Sequence, residues 1–297
     1  WVRKGYQGIK PGWCRIGFHY VMDDCEADYV SPVDEDFLEN VEDREKAGTP
    51  GVLQTLKAAL AFEVKCAVGV EAIEARETEL LERALSRWGA SPGIEILGNP
   101  DPELRIGIVS FNLNDARGGY LHPKLLTVLL NDLFGIQSRA GCSCAGPYGH
   151  RLLGIGHERS EEYREWVRKG YQGIKPGWCR VGFHYVMDDC EAEYVMEAVE
   201  FLADHGHRFL PLYAFDAMTG AWTHRTFVET AERFSLEAAV NYADPTETAL
   251  APDIRKHVYA SYLNEAARLA QELGEPEAGE RADLQPSFGE LQFFACS

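Results

Sequence analysis

The sequence predicts an α+β fold, and three observations predict it. Amphipathic helical patterns dominate the stretch from Asp43 to Lys169. The strand-like runs between them are few and short. A hairpin signature then appears at 215–222. Few strands separated by helices form a compact layered domain rather than a large parallel sheet.

Each element can be justified in order. From Pro50 to Val68 apolar residues recur at Leu53, Leu56, Leu60, Val64 and Ala67, the spacing of one helix face. A second helix runs from about Glu71 to Trp88 on Ile73, Leu80, Leu81, Ala84 and Leu85. Ser91, Pro92 and Gly93 end it, and strands follow at Ile94–Leu97 and Arg105–Leu113. Pro123 to Phe134 is leucine-rich and helical, with Gly135 as its C′ residue. A Gly- and Cys-rich loop is expected over 135–150, and a charged helix from His157 to Lys169. Residues 179–185 alternate Val181, Phe183 and Tyr185 like a half-buried strand. Asp188 or Asp189 can cap the next helix, which stops near Gly206. Thr219 and Gly220 form the hairpin turn, Ile254 to Leu273 is an amphipathic helix, and acidic residues 275–283 read as a linker.

Composition excludes several function classes. The 297 residues carry a formal net charge of −18, which repels a phosphate backbone, so no nucleic-acid partner is expected. No apolar run is long enough to span a bilayer, so no membrane partner is expected either. The eight cysteines do not demand a disulfide framework in a chain this long, and a reducing cytoplasm is the expected location. The first residue is Trp1, so a fragment or processed product is expected.

The strongest internal signal is a duplication. Residues 1–30 recur at 166–195 with only Ile16/Val181 and Asp28/Glu193 differing. A single near-identical pair is not a solenoid. In the second copy the segment continues into a helix. In the first, Ser31 and Pro32 interrupt it, since proline disfavours helix at the residue before it. The preferred reading is a recombination or assembly junction. The other is a strand that occupies its twin's slot in a neighbouring subunit.

Three places could carry chemistry. Gly48, Thr49 and Pro50 open a helix, where Thr49 can cap and free N–H groups can meet a phosphate. The loop 135–147 sets Cys142 and Cys144 near Arg139, and a neighbouring cation favours the reactive thiolate. A metal site using Cys142, Cys144, His150 and His157 ranks low, because the spacing fits no standard zinc pattern. Arg180 lies on a strand, where its fork can grip a carboxylate twice.

In order and context these motifs make the chain from about Tyr29 to Arg208 resemble the C-terminal region of class V aminotransferases and cysteine desulfurases. The resemblance implies the small domain of a fold-type I pyridoxal-phosphate (PLP) enzyme. It divides the chain into the duplicated segment 1–30, the small domain 31–208 and a C-terminal extension 209–297. It implies PLP as cofactor, an amino acid as substrate and a homodimer. It also implies Thr49, beside Gly48, at the PLP phosphate of the partner subunit, Cys144 as the persulfide cysteine with Arg139 beside it, and Arg180 at the substrate carboxylate. The lysine that anchors PLP lies upstream in that family, where this chain has only the duplicated segment. The expected function is therefore PLP chemistry on an amino acid, desulfuration or lyase chemistry through Cys144 or transamination without it, with the isolated chain inactive. The alternatives are a non-catalytic dimerisation module, marked by exposed apolar residues on the 50–68 helix, and a thiol or metal-binding protein using Cys142 and Cys144.

Overall fold

The structure, a computed structural model, describes residues 51–115, 118–142, 146–228, 235–237, 250–275, 284 and 288–295. The chain divides into two compact units, Trp1–Val70 and Glu71–Ser297. The calls on Gly48, Thr49, Cys144 and the first duplicated copy lie outside the described residues.

In the first unit, helix α1 (Val52–Val68) follows an N-cap at Gly51. The helix meets the periodicity expectation, yet none of its residues is buried. Leu53 is 77% and Leu60 66% exposed, which leaves the apolar stripe open to solvent.

The second unit is mixed α and β. It contains α2 (Val70–Gly89), β1 (Ile94–Leu97), β2 (Ile108–Leu113), α3 (Pro123–Phe134), β3 (Arg139–Gly141), α4 (Gly146–Leu152) and α5 (His157–Arg168). It continues with β4 (Trp178–Gly182), α6 (Asp189–His205), the hairpin β5 (Tyr213–Asp216) and β6 (Ala221–His224), and α7 (Pro252–Leu273). Strands β1 to β4 form one antiparallel sheet in the order β1-β2-β4-β3. Strand alternation sends Val109, Phe111, Cys179 and Val181 to one face and Ser110 and Arg180 to the other. The first face packs on Leu80, Trp88, Leu125, Leu129, Val199 and Leu202 from α2, α3 and α6. Trp88 lies at the centre, fully buried, with its ring 5.3 Å from that of Phe111 and 5.8 Å from that of Phe183.

Helices α2 and α6 are also joined by charge. Arg76 and Arg83 both reach Asp189, and Arg83 and Arg87 both reach Glu193, with Arg87 continuing to Glu200. Asp188 caps α6 in a reciprocal capping box with Glu191.

Four boundaries differ from the sequence reading. Strand β2 starts at Ile108 rather than Arg105, because Asp101 caps a short 3-10 turn at Pro102–Leu104. Arg105 then folds back to the carbonyls of Asn99 (2.7 Å) and Leu97 (3.3 Å). Strand β4 ends at Gly182, since a turn from His184 to Met187 closes before Tyr185 can pair. The expected loop 135–150 contains strand β3 and helix α4. The first helix begins at Val52 behind Gly51.

One buried polar group ties distant segments together. His122 is the N-cap of α3, and its Nδ1 accepts the Lys124 N–H at 3.1 Å. Its Nε2–H donates to the Gly173 carbonyl at 2.9 Å. The rings of Phe215, Trp222, Phe293 and Phe294 surround it, with Phe294 edge-on at 4.4 Å. Burial, more than any other cause, lowers its pKa from 6.5 to about 4, so it is neutral at pH 7.

Two predictions follow from this packing. Trp88→Ala should cost about 3–5 kcal/mol in urea unfolding, whereas Leu56→Ser on exposed α1 should stay within about 0.5 kcal/mol. For His122, the unfolded state takes up a proton below 6.5 while the folded state waits until about 4. Stability should therefore fall as pH drops through that window, by at most about 1.4 kcal/mol per pH unit from this group. His122→Asn should flatten the slope of stability against pH. Equal slopes in the two proteins would remove His122 from that role.

Candidate functional site

The face of the sheet opposite the helices carries the site residues. Antiparallel register sets Arg139 of β3 opposite Arg180 of β4, and Arg180 opposite Ser110 of β2. Directly opposed residues point to the same face, so the two side chains leave the sheet on the same side. Arg180 is half-buried and Arg139, on the edge strand, is exposed. Among the described residues neither forms an ion pair. Two adjacent, uncompensated forks are suited to a carboxylate.

Beyond β3 the chain turns through Gly141, with φ of 117°, to the half-buried Cys142. Gly177, just before β4, lies backbone to backbone with this turn. A Cβ there would come within 2.7 Å of Gly141 Cα and 3.2 Å of the Cys142 nitrogen. Helix α4 restarts the chain at Gly146, and Gly149 abuts the ring of Trp178, where a Cβ would meet carbon at 3.1 Å. The thiol-bearing turn is thus fixed to the same strand that carries Arg180. Cys179, the neighbour of Arg180, faces the core, and burial pushes its thiol up to about 12. It is a packing residue, inert beside Cys142.

Next to Cys142 is a cavity of about 270 Å³ lined by His122, Pro123, Lys124, Arg139, Ala140, Gly141, Cys142, Gln172, Lys175 and Pro176. Lys124 donates from Nζ to the Thr219 carbonyl at 2.9 Å. Burial, and then the charge of Lys175, lowers its pKa. The sequence reading missed Lys124, Lys175 and Gln172, which are brought here from positions far apart in the chain. The one signal available was that Lys175 lies in the duplicated segment, as the twin of Lys10. A larger and more open groove, lined by Glu74, Glu79, Glu82 and Glu103, holds no thiol or cation. The smaller cavity is the one lined by a thiol and cations.

The structure brings Arg139 and Arg180 together and sets Cys142 at the end of the same strand. Among the described residues no group of three His, Cys, Asp or Glu side chains could hold a metal ion. Among the described residues, also, no helix is long and apolar enough to cross a membrane.

Comparison with known proteins gives these residues a context. A probable cysteine desulfurase of Staphylococcus aureus (strain Mu50) is 34% identical over 120 residues, which are 40% of this chain and 27% of that protein. The cysteine desulfurase of Haloferax volcanii is 36% identical over 110 residues, 37% of this chain and 24% of that one. The chain therefore spans about a quarter of the length of the curated relatives it matches. An apo cysteine desulfurase structure from Thermococcus onnurineus covers 54% of this chain and 33% of its own, at 25% identity and a TM-score of 0.41. The sequence profile of the family described as "Aminotransferase class-V" matches residues 26–195, more than half of the chain, and the protein belongs to that family.

Proposed function

We propose that the chain is the C-terminal, substrate-facing part of a PLP-dependent enzyme that acts on an amino acid. In this reading residues 31–208 form the small domain of a fold-type I enzyme, with 1–30 a duplicated segment and 209–297 an extension. The observation that carries it is the uncompensated Arg139–Arg180 pair on adjacent strands, at the root of the turn bearing Cys142. Arg180, the more buried of the two, holds the substrate carboxylate, and Arg139 shares or steers that charge. Cys144, two residues beyond Cys142, supplies the thiol if the reaction is desulfuration. Transamination would use the arginines without it. Similarity to cysteine desulfurases favours the sulfur reading.

PLP needs a lysine for its carbonyl carbon and an acidic partner for its ring nitrogen. Among the described residues Lys124 is the least exposed lysine, but its Nζ is held by the Thr219 carbonyl. The cavity around it is lined by no carboxylate. The described residues therefore do not fit PLP by themselves. Thr49 and Gly48 are proposed to meet the phosphate of a cofactor bound in a homodimer, and the isolated chain is proposed to be inactive.

A second reading has an observation of its own. The open stripe on α1, including Leu53, Leu56, Leu60 and Val64, favours a module that works by docking. The two readings are compatible if that stripe is covered by the half of the enzyme that carries the lysine.

The first test is reductive trapping. The chain is mixed with PLP and reduced with borohydride, and pyridoxyl-lysine is mapped by peptide mass spectrometry. Scattered, substoichiometric labelling is the expected outcome. One stoichiometric lysine would overturn the half-site reading and make the chain an enzyme in its own right. A second test reads the thiols. With iodoacetamide under native conditions, Cys142 and Cys144 should alkylate about two orders of magnitude faster than Cys179. Protection of Cys144 equal to that of Cys179 would count against a catalytic thiol.

A further inference from the structure

The cavity beside Cys142 is unusual for a chain of net charge −18: its lining contains three cations and no carboxylate. The cations are Lys124, Lys175 and Arg139, and among the described residues none of them is in an ion pair. Like charges held near each other are costly unless something of opposite sign joins them. Burial, and then the charge of Lys175, lowers the pKa of Lys124.

The walls are also held in place. Gln172 N–H donates to the Met218 carbonyl at 3.0 Å, and Gly173 N–H to that of Ala217 at 2.9 Å. These bonds attach the 172–176 wall to the β5–β6 turn. Gly220, with φ of 70°, lets the turn come close: a Cβ there would lie 2.7 Å from Lys124 Nζ and 2.9 Å from Gly173 Cα. The His122 bond to Gly173 fixes the same wall to α3. Lys124 is anchored at its tip, so less of its conformational freedom remains to be lost on binding.

We propose that this cavity binds a phosphate group, with Lys124 and Lys175 as its principal ligands and Arg139 at its rim. Two ammonium groups and a guanidinium match a dianion better than a single carboxylate. Gln172 Nε2 donates to the Val167 carbonyl at 3.4 Å, which leaves its second N–H for a third oxygen. The volume of about 270 Å³, with Pro123, Ala140 and Pro176 in its walls, leaves room for an organic portion beyond the phosphate. The site is separate from the Arg139–Arg180 row in its main ligands. It does not rest on the proposed PLP chemistry, and it is measured without PLP.

The test is isothermal titration of the full chain with inorganic phosphate and, separately, glycerol phosphate, at constant ionic strength. Saturable one-site binding is expected. Lys175→Gln should weaken it about tenfold or more, and Lys124→Ala/Lys175→Ala should abolish it, while Lys256→Ala on exposed α7 leaves it unchanged. Lys175 makes no side-chain hydrogen bond among the described residues, so its substitution leaves the walls intact and keeps the test clear of misfolding. Tighter binding of the ester would identify the ligand as a phosphate on a larger molecule, and tighter binding of inorganic phosphate would identify the free ion. Absence of saturation, an equal loss in Lys256→Ala, or equally tight binding of acetate would overturn the proposal.

Discussion

Much of the second unit depends on one uncharged imidazole. His122 uses both ring nitrogens, one to begin α3 and the other to hold Gly173. The helix it begins packs four leucines against the sheet, and the segment it holds leads through Gly177 into β4. Sheet register, helix start and cavity wall therefore share a single buried anchor. A buried polar group left without partners is costly, so the arrangement is cooperative: releasing either bond strands the other half of the ring among aromatic side chains. The aromatic box also brings in Phe294, a core residue, and Phe293, which packs against the core.

The sequence revealed those elements whose cause is local. Helices α2, α3 and α6 show a 3.6-residue period because each buries one stripe, and Gly135 ends α3 in the left-handed conformation that its lack of a Cβ allows. The sequence left Asp188 and Asp189 both open as the cap, and the structure uses Asp188, in a capping box with Glu191. Elements with a distant cause were not legible. Strand β3 is three residues long and contains Gly141, so its existence depends on pairing with β4, far along the chain. Helix α1 is the converse case. Its period was plain, but period alone does not say whether a face is covered.

The same division holds for the site. Arg139 and Arg180 could each be chosen from motif and residue type, but that they stand in register could not. Register follows from the ladder, and a slip of one residue would send Arg180 into the core and Cys179 out. The cationic cavity was invisible because Lys124 and Lys175 meet only through the His122 anchor and the hairpin turn. Short-range spacing contains no trace of such a meeting. The second copy of the duplication supplies β4, Lys175, the α6 cap and two acidic partners of α2, Asp189 and Glu193, together. Thirty residues thus contribute to the sheet, the cavity and the helix pair at once.

The contact of Gly177 with Gly141 has a consequence for how such a chain can change over time. The connection from Cys142 to Gly177 leaves the sheet and returns to it at nearly the same point. A segment closed at its base by two abutting backbones can gain or lose residues beyond that closure without shifting the strands on either side. Loop length itself costs little entropy once the ends are fixed. Lineages that lengthen or shorten this excursion would therefore keep the two arginines opposed, while any residue larger than glycine at position 177 would push the two backbones at its base apart.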